Sequence, residues 1–153
     1  MMTLCSNVLK ALKGKTIATA ESLTGGGIGN ALTAVSGSSA VYKGGVISYC
    51  NEIKHRLLGV DLDILATLGP VSAPVAEQMA SGARKSLRTD IAVSVTGLAG
   101  PGGDEFGNPQ GTVYIGYADE TIVFSRKFLF EGDRESVRRQ TIEAALRMVL
   151  ERN

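Results

Sequence analysis

The sequence predicts an α/β fold, a mixed and mainly parallel sheet covered by helices on both faces. Two observations carry this. Short runs rich in Val, Ile, Tyr and Phe alternate with segments whose apolar residues recur at the helical spacing of three and four. Runs separated by helices pair in parallel, whereas the last two runs are separated only by Asp119-Glu120, which is hairpin spacing. The size agrees: 153 residues, 44% hydrophobic and 20% charged, suit one compact domain over residues 1–153. No repeat, low-complexity tract or Pro/Gly-rich linker divides it.

The elements follow in order. The first helix is read over 7–12 and the first strand over 16–20. A helix over 28–35 and a strand over 41–49 come next. A shorter amphipathic piece starts at Asn51, which serves as its N-cap and puts Lys54 in the first turn. In the helix over 75–87, Val75, Met79, Ala83 and Leu87 form one stripe, with Ser72 or Ala73 ahead of it and Pro74 in its first turn. Strands over 91–96, 112–118 and 122–130 follow. The last helix, over 137–150, has Asp133 as N-cap and Glu135 near its positive end, and Val137, Ile142, Ala145, Leu146 and Val149 share a face.

Charge and cysteine content exclude several classes. Sixteen Lys and Arg against fifteen Asp and Glu give +1, too balanced for the basic stripe that nucleic acid requires, so nucleic acid is not expected as a partner. The start of the chain carries Lys10, Lys13 and Lys15 without a secretory apolar core, and no run is long enough to cross a membrane. The expected location is the cytoplasm, with no membrane partner. Cys5 and Cys50 form no C-x-x-C pair and read as small apolar residues. With His55 the sole histidine, no zinc spacing exists, and no metal or other cofactor is expected. Homo-oligomerisation is left open.

Four places can carry chemistry. Ala20-Glu21-Ser22-Leu23-Thr24-Gly25-Gly26-Gly27 lies where a strand ends and a helix begins, the edge at which open sheets bind ligands. Ser22 there is a candidate nucleophile beside helix-start N–H groups able to hold a phosphate or an oxyanion. The plainer alternative is that Ser22 or Thr24 only caps the helix. At Ser48-Tyr49-Cys50-Asn51-Glu52-Ile53-Lys54, a lysine in a first helical turn faces the positive end of the helix dipole, which lowers its pKa toward that of a general base. Otherwise Lys54 extends into solvent and pairs with Glu52 or Asp61, and Tyr49 packs at a sheet edge. Thr96-Gly97-Leu98-Ala99-Gly100-Pro101-Gly102-Gly103 opens a long loop to Gly111 that lines an anion or ring pocket, or is an ordinary Gly-Pro turn. Arg134 and Arg138 at the start of the last helix suit bidentate phosphate binding, or else lie on a solvated face.

The segments AESLTGG, GGVISYCNEIKHRLLGV, LGPVSAPVAEQMASGA, VSVTGLAGPGG, GTVYIGYA and EGDRESVRRQ, in this order, resemble the CinA C-terminal domain family from about Val8 to Leu150. The resemblance implies a three-layer α/β/α sandwich and, from the stand-alone nicotinamide-nucleotide amidohydrolases of the family, deamidation of nicotinamide mononucleotide to nicotinate mononucleotide and ammonia in pyridine nucleotide salvage. It implies catalytic roles for Ser22, Tyr49 and Lys54. Glu21, Thr24, Gly25, Gly26, Asn51, Thr96, Gly97, Gly100, Arg134 and Arg138 are the expected contacts to a small nucleotide substrate. Leu23 stands where the family often has Cys, and Asn108-Pro109-Gln110-Gly111 replaces the usual Lys-Pro-Val-Gly. The rival reading is a non-catalytic domain that binds a nucleotide or a partner in competence or the DNA-damage response. A third is an amidase for another pyridine or amino-acid amide.

Overall fold

The computed structural model describes all 153 residues. In chain order the elements are α1 (Met2–Ala11), β1 (Ile17–Glu21), α2 (Gly27–Thr33), β2 (Tyr42–Ile47), α3 (Asn51–Leu58), α4 (Leu62–Leu68), α5 (Ala73–Leu87), β3 (Ile91–Gly97), β4 (Thr112–Ala118), β5 (Val123–Leu129) and α6 (Arg134–Arg152). The strands form one mixed sheet in the order β2-β1-β3-β4-β5. β1 runs parallel to β2 and β3, while β3, β4 and β5 pair antiparallel, so the parallel and antiparallel pairings are two each.

Helices cover both faces, and the two faces differ in side-chain size. On one, α1, α2 and α6 enclose a core of 20 buried residues that includes Ile17, Ile91, Val93 and Val95. On the other, α5 lies across the sheet with α3 and α4 outside it, over a core of nine that includes Ala18, Ala20 and Ala92. Alternation along β1 and β3 sends large residues one way and small ones the other. The small ones bring α5 close: the Ser94 hydroxyl donates to Ala76 O at 2.5 Å, and a Cβ on Gly116 would collide with the same carbonyl.

Four differences from the sequence reading have local causes. α1 starts at Met2 because Cys5 and Val8 already face the core, although no side chain caps it. β2 ends at Ile47, and residues 48–50 leave the sheet toward α3. α3 is capped by Cys50 rather than Asn51, with no side-chain hydrogen bond. α4 was not expected; it has one buried residue, Leu65, and is held by Asp61, whose carboxylate accepts from Asp63 N and Ile64 N. Ser72 and Asp133 cap α5 and α6 as the sequence indicated.

The topology fixes where function can sit. The chain leaves β1 toward β2 on one side and leaves β3 toward β4 on the other. Above the carboxyl ends of β1 and β3 there is therefore a gap between diverging connections, the usual ligand site of open α/β sheets.

Candidate active site

Ser22 stands at that gap, directly after β1. Its N–H donates to Val95 O of β3 at 3.0 Å, and Gly25 N closes a turn on Ser22 O at 3.1 Å. Gly25 (φ 59°) and Gly26 (φ 99°) lie in the left-handed region, which explains the paired glycines between serine and helix. Glu21 is buried beneath the turn, where its carboxylate accepts from Thr24 Oγ1 at 2.6 Å, Ile28 N at 2.8 Å and Gly29 N at 3.0 Å. The acid thus caps α2 and takes the helix-start donors that the sequence reading reserved for a phosphate or oxyanion. The N–H groups of Leu23 and Thr24, next to the serine, donate to no acceptor within the chain.

Lys54 comes to the same point from α3. It is 1% exposed, and its Nζ donates to Ser22 Oγ at 2.9 Å and to Ser48 O at 2.8 Å. No carboxylate pairs with it. Glu52 holds Arg56 at 3.3 Å and Asp61 caps α4. Burial pushes the lysine pKa down from 10.5 to about 8, against a smaller raising effect of Cys50. The direction matches the sequence expectation, and desolvation is its largest cause. A lysine enclosed by apolar elements without a counter-ion is a base near neutrality.

Ser22 and Lys54 open onto a cleft of about 320 Å³, also lined by Tyr49, Asn51, Thr96, Arg134 and the segments 70–71 and 97–103. Tyr49 is 63% exposed at the rim. The Arg134 guanidinium spans the mouth, donating from Nη2 to the Tyr49 hydroxyl at 3.1 Å and from Nη1 to Gly100 O at 2.6 Å. Thr96 lines the cleft, yet its hydroxyl donates to Pro70 O at 2.7 Å and so ties β3 to the segment leading into α5. Gly97 is required for another reason, because a Cβ there would meet Thr112 O and Val113 of β4.

Of the expected site residues, the structure brings together Ser22, Tyr49, Asn51, Lys54, Thr96, Gly97, Gly100 and Arg134. Glu21, Thr24, Gly25, Gly26 and Arg138 lie behind the cleft wall. Arg138 donates from Nε to Leu23 O at 2.9 Å and from Nη2 to Thr24 O at 3.3 Å, bracing the serine turn from outside. Two contributors were not singled out in the sequence. Ser48 supplies the carbonyl that anchors Lys54. Gln110 accepts from Gly102 N at 2.8 Å and donates to Gly132 O at 3.1 Å, clamping the glycine loop to the start of α6. Its place in a long glycine-containing loop and its departure from the family's Lys-Pro-Val-Gly pattern were the signals. No group of three or more His, Cys, Asp or Glu side chains could hold a metal ion, and no helix is long and apolar enough to cross a membrane.

Fold and cleft define an α/β/α sandwich with a serine–lysine pair at the switch point of its sheet. The CinA C-terminal domain model matches residues 2–152, and the chain belongs to that family. It is 54% identical over 121 residues to a CinA-like protein of Thermosynechococcus vestitus, covering 78% of this chain and 29% of that protein. It is 44% identical over 151 residues to the nicotinamide-nucleotide amidohydrolase PncC of Escherichia coli K12, covering 95% and 90%. The crystal structure of the competence/damage inducible protein CihA from Agrobacterium tumefaciens superposes with a TM-score of 0.94 at 37% identity, covering 98% and 93%. The chain spans a quarter to a third of the length of the CinA-like proteins it matches.

Proposed function

We propose that the chain is an amidohydrolase that converts nicotinamide mononucleotide to nicotinate mononucleotide and ammonia, with Ser22 as nucleophile and Lys54 as general base. The observation that carries this is the 2.9 Å contact between the serine oxygen and a buried lysine whose pKa is lowered to about 8. An alkoxide is inaccessible to an isolated serine at neutral pH, and an adjacent uncharged amine removes the proton as the oxygen attacks. The substrate activity follows from similarity to stand-alone relatives of nearly the same length.

In the first half-reaction, Ser22 Oγ bonds to the carboxamide carbon, its proton passes to Lys54 Nζ, and the carbonyl electrons move to oxygen. The N–H groups of Leu23 and Thr24, adjacent to Ser22 and free of acceptors, are the backbone donors offered to that oxyanion, since Ile28 N and Gly29 N of α2 are held by Glu21. Collapse breaks the C–N bond, and the nitrogen leaves as ammonia with a proton from Lys54, passed directly or through Tyr49 at the rim. Water then attacks the nicotinoyl–serine ester with Lys54 again as base, releasing the acid and restoring both side chains. Arg134 and the glycine loop face the substrate phosphate. The setting is pyridine nucleotide salvage in the cytoplasm.

The test is ammonia release from nicotinamide mononucleotide by wild type and Ser22→Ala, with free nicotinamide as comparison substrate. The reading expects turnover of the mononucleotide, at least a 10³-fold loss in the variant, and little activity on the free amide. A folded wild type without turnover would favour the binding-only reading. Equal rates on both substrates would favour an amidase indifferent to phosphate, and undiminished activity in Ser22→Ala would exclude the serine.

A further inference from the structure

One side chain beside the reacting pair has no partner. Ser48 is fully buried, and its Oγ is the one buried side-chain polar atom of the protein with no hydrogen bond. Its backbone is well placed: Glu21 pairs with Ile47 in the β1–β2 ladder, so Ser48 and Ser22 leave neighbouring strands side by side, and Ser48 N donates to Glu21 O at 2.9 Å. The carbonyl of the same residue already accepts from Lys54. A buried hydroxyl left unpaired is costly, and its position beside a general base calls for a use during turnover.

The use follows from counting hydrogens on the lysine. A neutral amine has two N–H groups and a lone pair, whereas an ammonium has three donors. Lys54 has two acceptors within reach, Ser22 Oγ and Ser48 O. Once Ser22 has attacked, its oxygen is bonded to the tetrahedral carbon and is a poorer acceptor, just when Lys54 carries the extra proton. No carboxylate takes up the deficit. Glu21 is engaged by α2, His55 Nδ1 is turned to Val60 O, and Tyr49 and Arg134 bond each other at the rim. Cys50 is the one titratable group whose charge bears on Lys54.

We propose that Ser48 is a positioning residue for Lys54, its hydroxyl rotating to accept a hydrogen of the Lys54 ammonium that forms when Ser22 attacks. Covalent geometry keeps Oγ within a few ångströms of the serine's own carbonyl oxygen, and a change of χ1 rotamer redirects it without moving the backbone. The proton balance is that of the proposed deamidation, on which this inference rests. Ser48 neither gains nor loses a proton; it stabilises the charged form of the base.

The test compares Ser48→Ala and Ser48→Thr with wild type. Ser48→Ala is expected to lower kcat on nicotinamide mononucleotide at least tenfold with KM within twofold, and to shift the acid limb of the kcat profile to lower pH. Ser48→Thr, which keeps the hydroxyl, is expected to recover most of kcat. Thermal stability of Ser48→Ala should not fall well above pH 8, where Lys54 is already neutral and the hydroxyl has no ammonium to meet. The second readout needs no substrate: in protein labelled with 13Cε-lysine, with the Lys54 signal assigned by its loss in Lys54→Met, the Lys54 titration midpoint is expected to fall in Ser48→Ala. An unmoved midpoint in either a folded Ser48→Ala or a folded Ser48→Cys overturns the proposal, as does an unchanged kcat. Absence of turnover in the wild type defeats the substrate reading instead, and the lysine titration still decides the role of Ser48.

Discussion

On the Ser22 side of the cleft, the turn after β1 is hydrogen-bonded to β3, to α2 through Glu21 and to α6 through Arg138, and Lys54 is buried beneath it. On the opposite side, the wall is a glycine-rich loop joined to the start of α6 by exposed hydrogen bonds of Gln110 and Arg134. In the proposed deamidation the first wall holds the reacting atoms and the second faces the remainder of the substrate. Chemistry here needs a fixed geometry and a desolvated amine, which strands and a buried carboxylate supply. A loop held by a few exposed hydrogen bonds can yield as ligands enter and leave.

The largest effect should come from Lys54→Met, which separates activity from stability. Loss of the base is expected to lower kcat by about 10³-fold or more. Stability should behave differently. With a folded pKa of about 8 against 10.5, the buried ammonium destabilises the wild type by roughly 3 kcal/mol below pH 8. Between pH 8 and 10.5 the folded amine is already neutral while the unfolded one still binds its proton, so stability rises with pH, and above 10.5 the penalty is gone. Methionine removes this penalty but leaves Ser48 O without its donor, a cost of about 1–2 kcal/mol. Urea unfolding at pH 7 should show the variant no less stable than wild type, and the rise of the wild type across pH 8 to 10.5 should exceed that of the variant. In wild type kcat/KM should climb with pH to a plateau above about 8.

That two-wall contrast also explains what could be read from the sequence. Helices and strands were legible because burial imposes their periodicity, as at Val75, Met79 and Ala83 on α5. Ser22, Tyr49 and Lys54 stood out as chemistry-bearing residues at strand ends or in an unfavourable helical turn. α4 escaped because a seven-residue helix with one buried side chain leaves almost no periodic signal. Glu21 was expected as a substrate contact because it lies in the AESLTGG segment that carries the family resemblance; only the chain's path shows it capping α2 from below. Arg134 and Arg138 were grouped as phosphate binders, although one turn of α6 points the first at the cleft mouth and the second at the back of the serine turn. The anchor that Ser48 gives Lys54 in the resting fold is a backbone carbonyl, which carries no residue signature.

Glu21→Gln probes the buried foundation of the first wall. Three donors converge on the carboxylate, and an amide in its place presents one oxygen and an NH₂ that opposes the remaining donors. Destabilisation of about 1–3 kcal/mol is expected in chemical denaturation. Because the same acid fixes the α2 side of the turn, kcat should fall as well, with KM little changed. A Glu21→Gln protein of full stability would show that the first wall does not depend on its buried cap.

The two arginines of α6 offer a direct exchange of the two walls. Arg138→Ala removes two hydrogen bonds to the back of the Ser22 turn and should cost about 1–2 kcal/mol, with loss of kcat. Arg134→Ala removes an exposed cation from the mouth and should change stability by less than about 0.5 kcal/mol, while raising KM for the mononucleotide about tenfold, the worth of a single charged contact. Steady-state kinetics on the mononucleotide, with denaturation of both variants, separate the two. The reverse pattern would mean that the phosphate is held behind the serine turn after all.

The smallest effect is expected at Gln110, where the family pattern resembled by this loop has Val. The glutamine makes two hydrogen bonds, from Gly102 N and to Gly132 O, both exposed and each worth about 0.5–1 kcal/mol. Gln110→Val keeps the volume but unties the loop from α6, so Gly100, whose carbonyl positions Arg134, gains freedom. KM should rise two- to threefold, kcat should stay within experimental error, and the unfolding midpoint should move by at most a few degrees. Combined with Arg134→Ala, Gln110→Val should add almost nothing to KM, since the two side chains act on the same segment and their effects are not independent. Additive changes would show that the loop contacts the substrate through its own backbone rather than by holding the arginine.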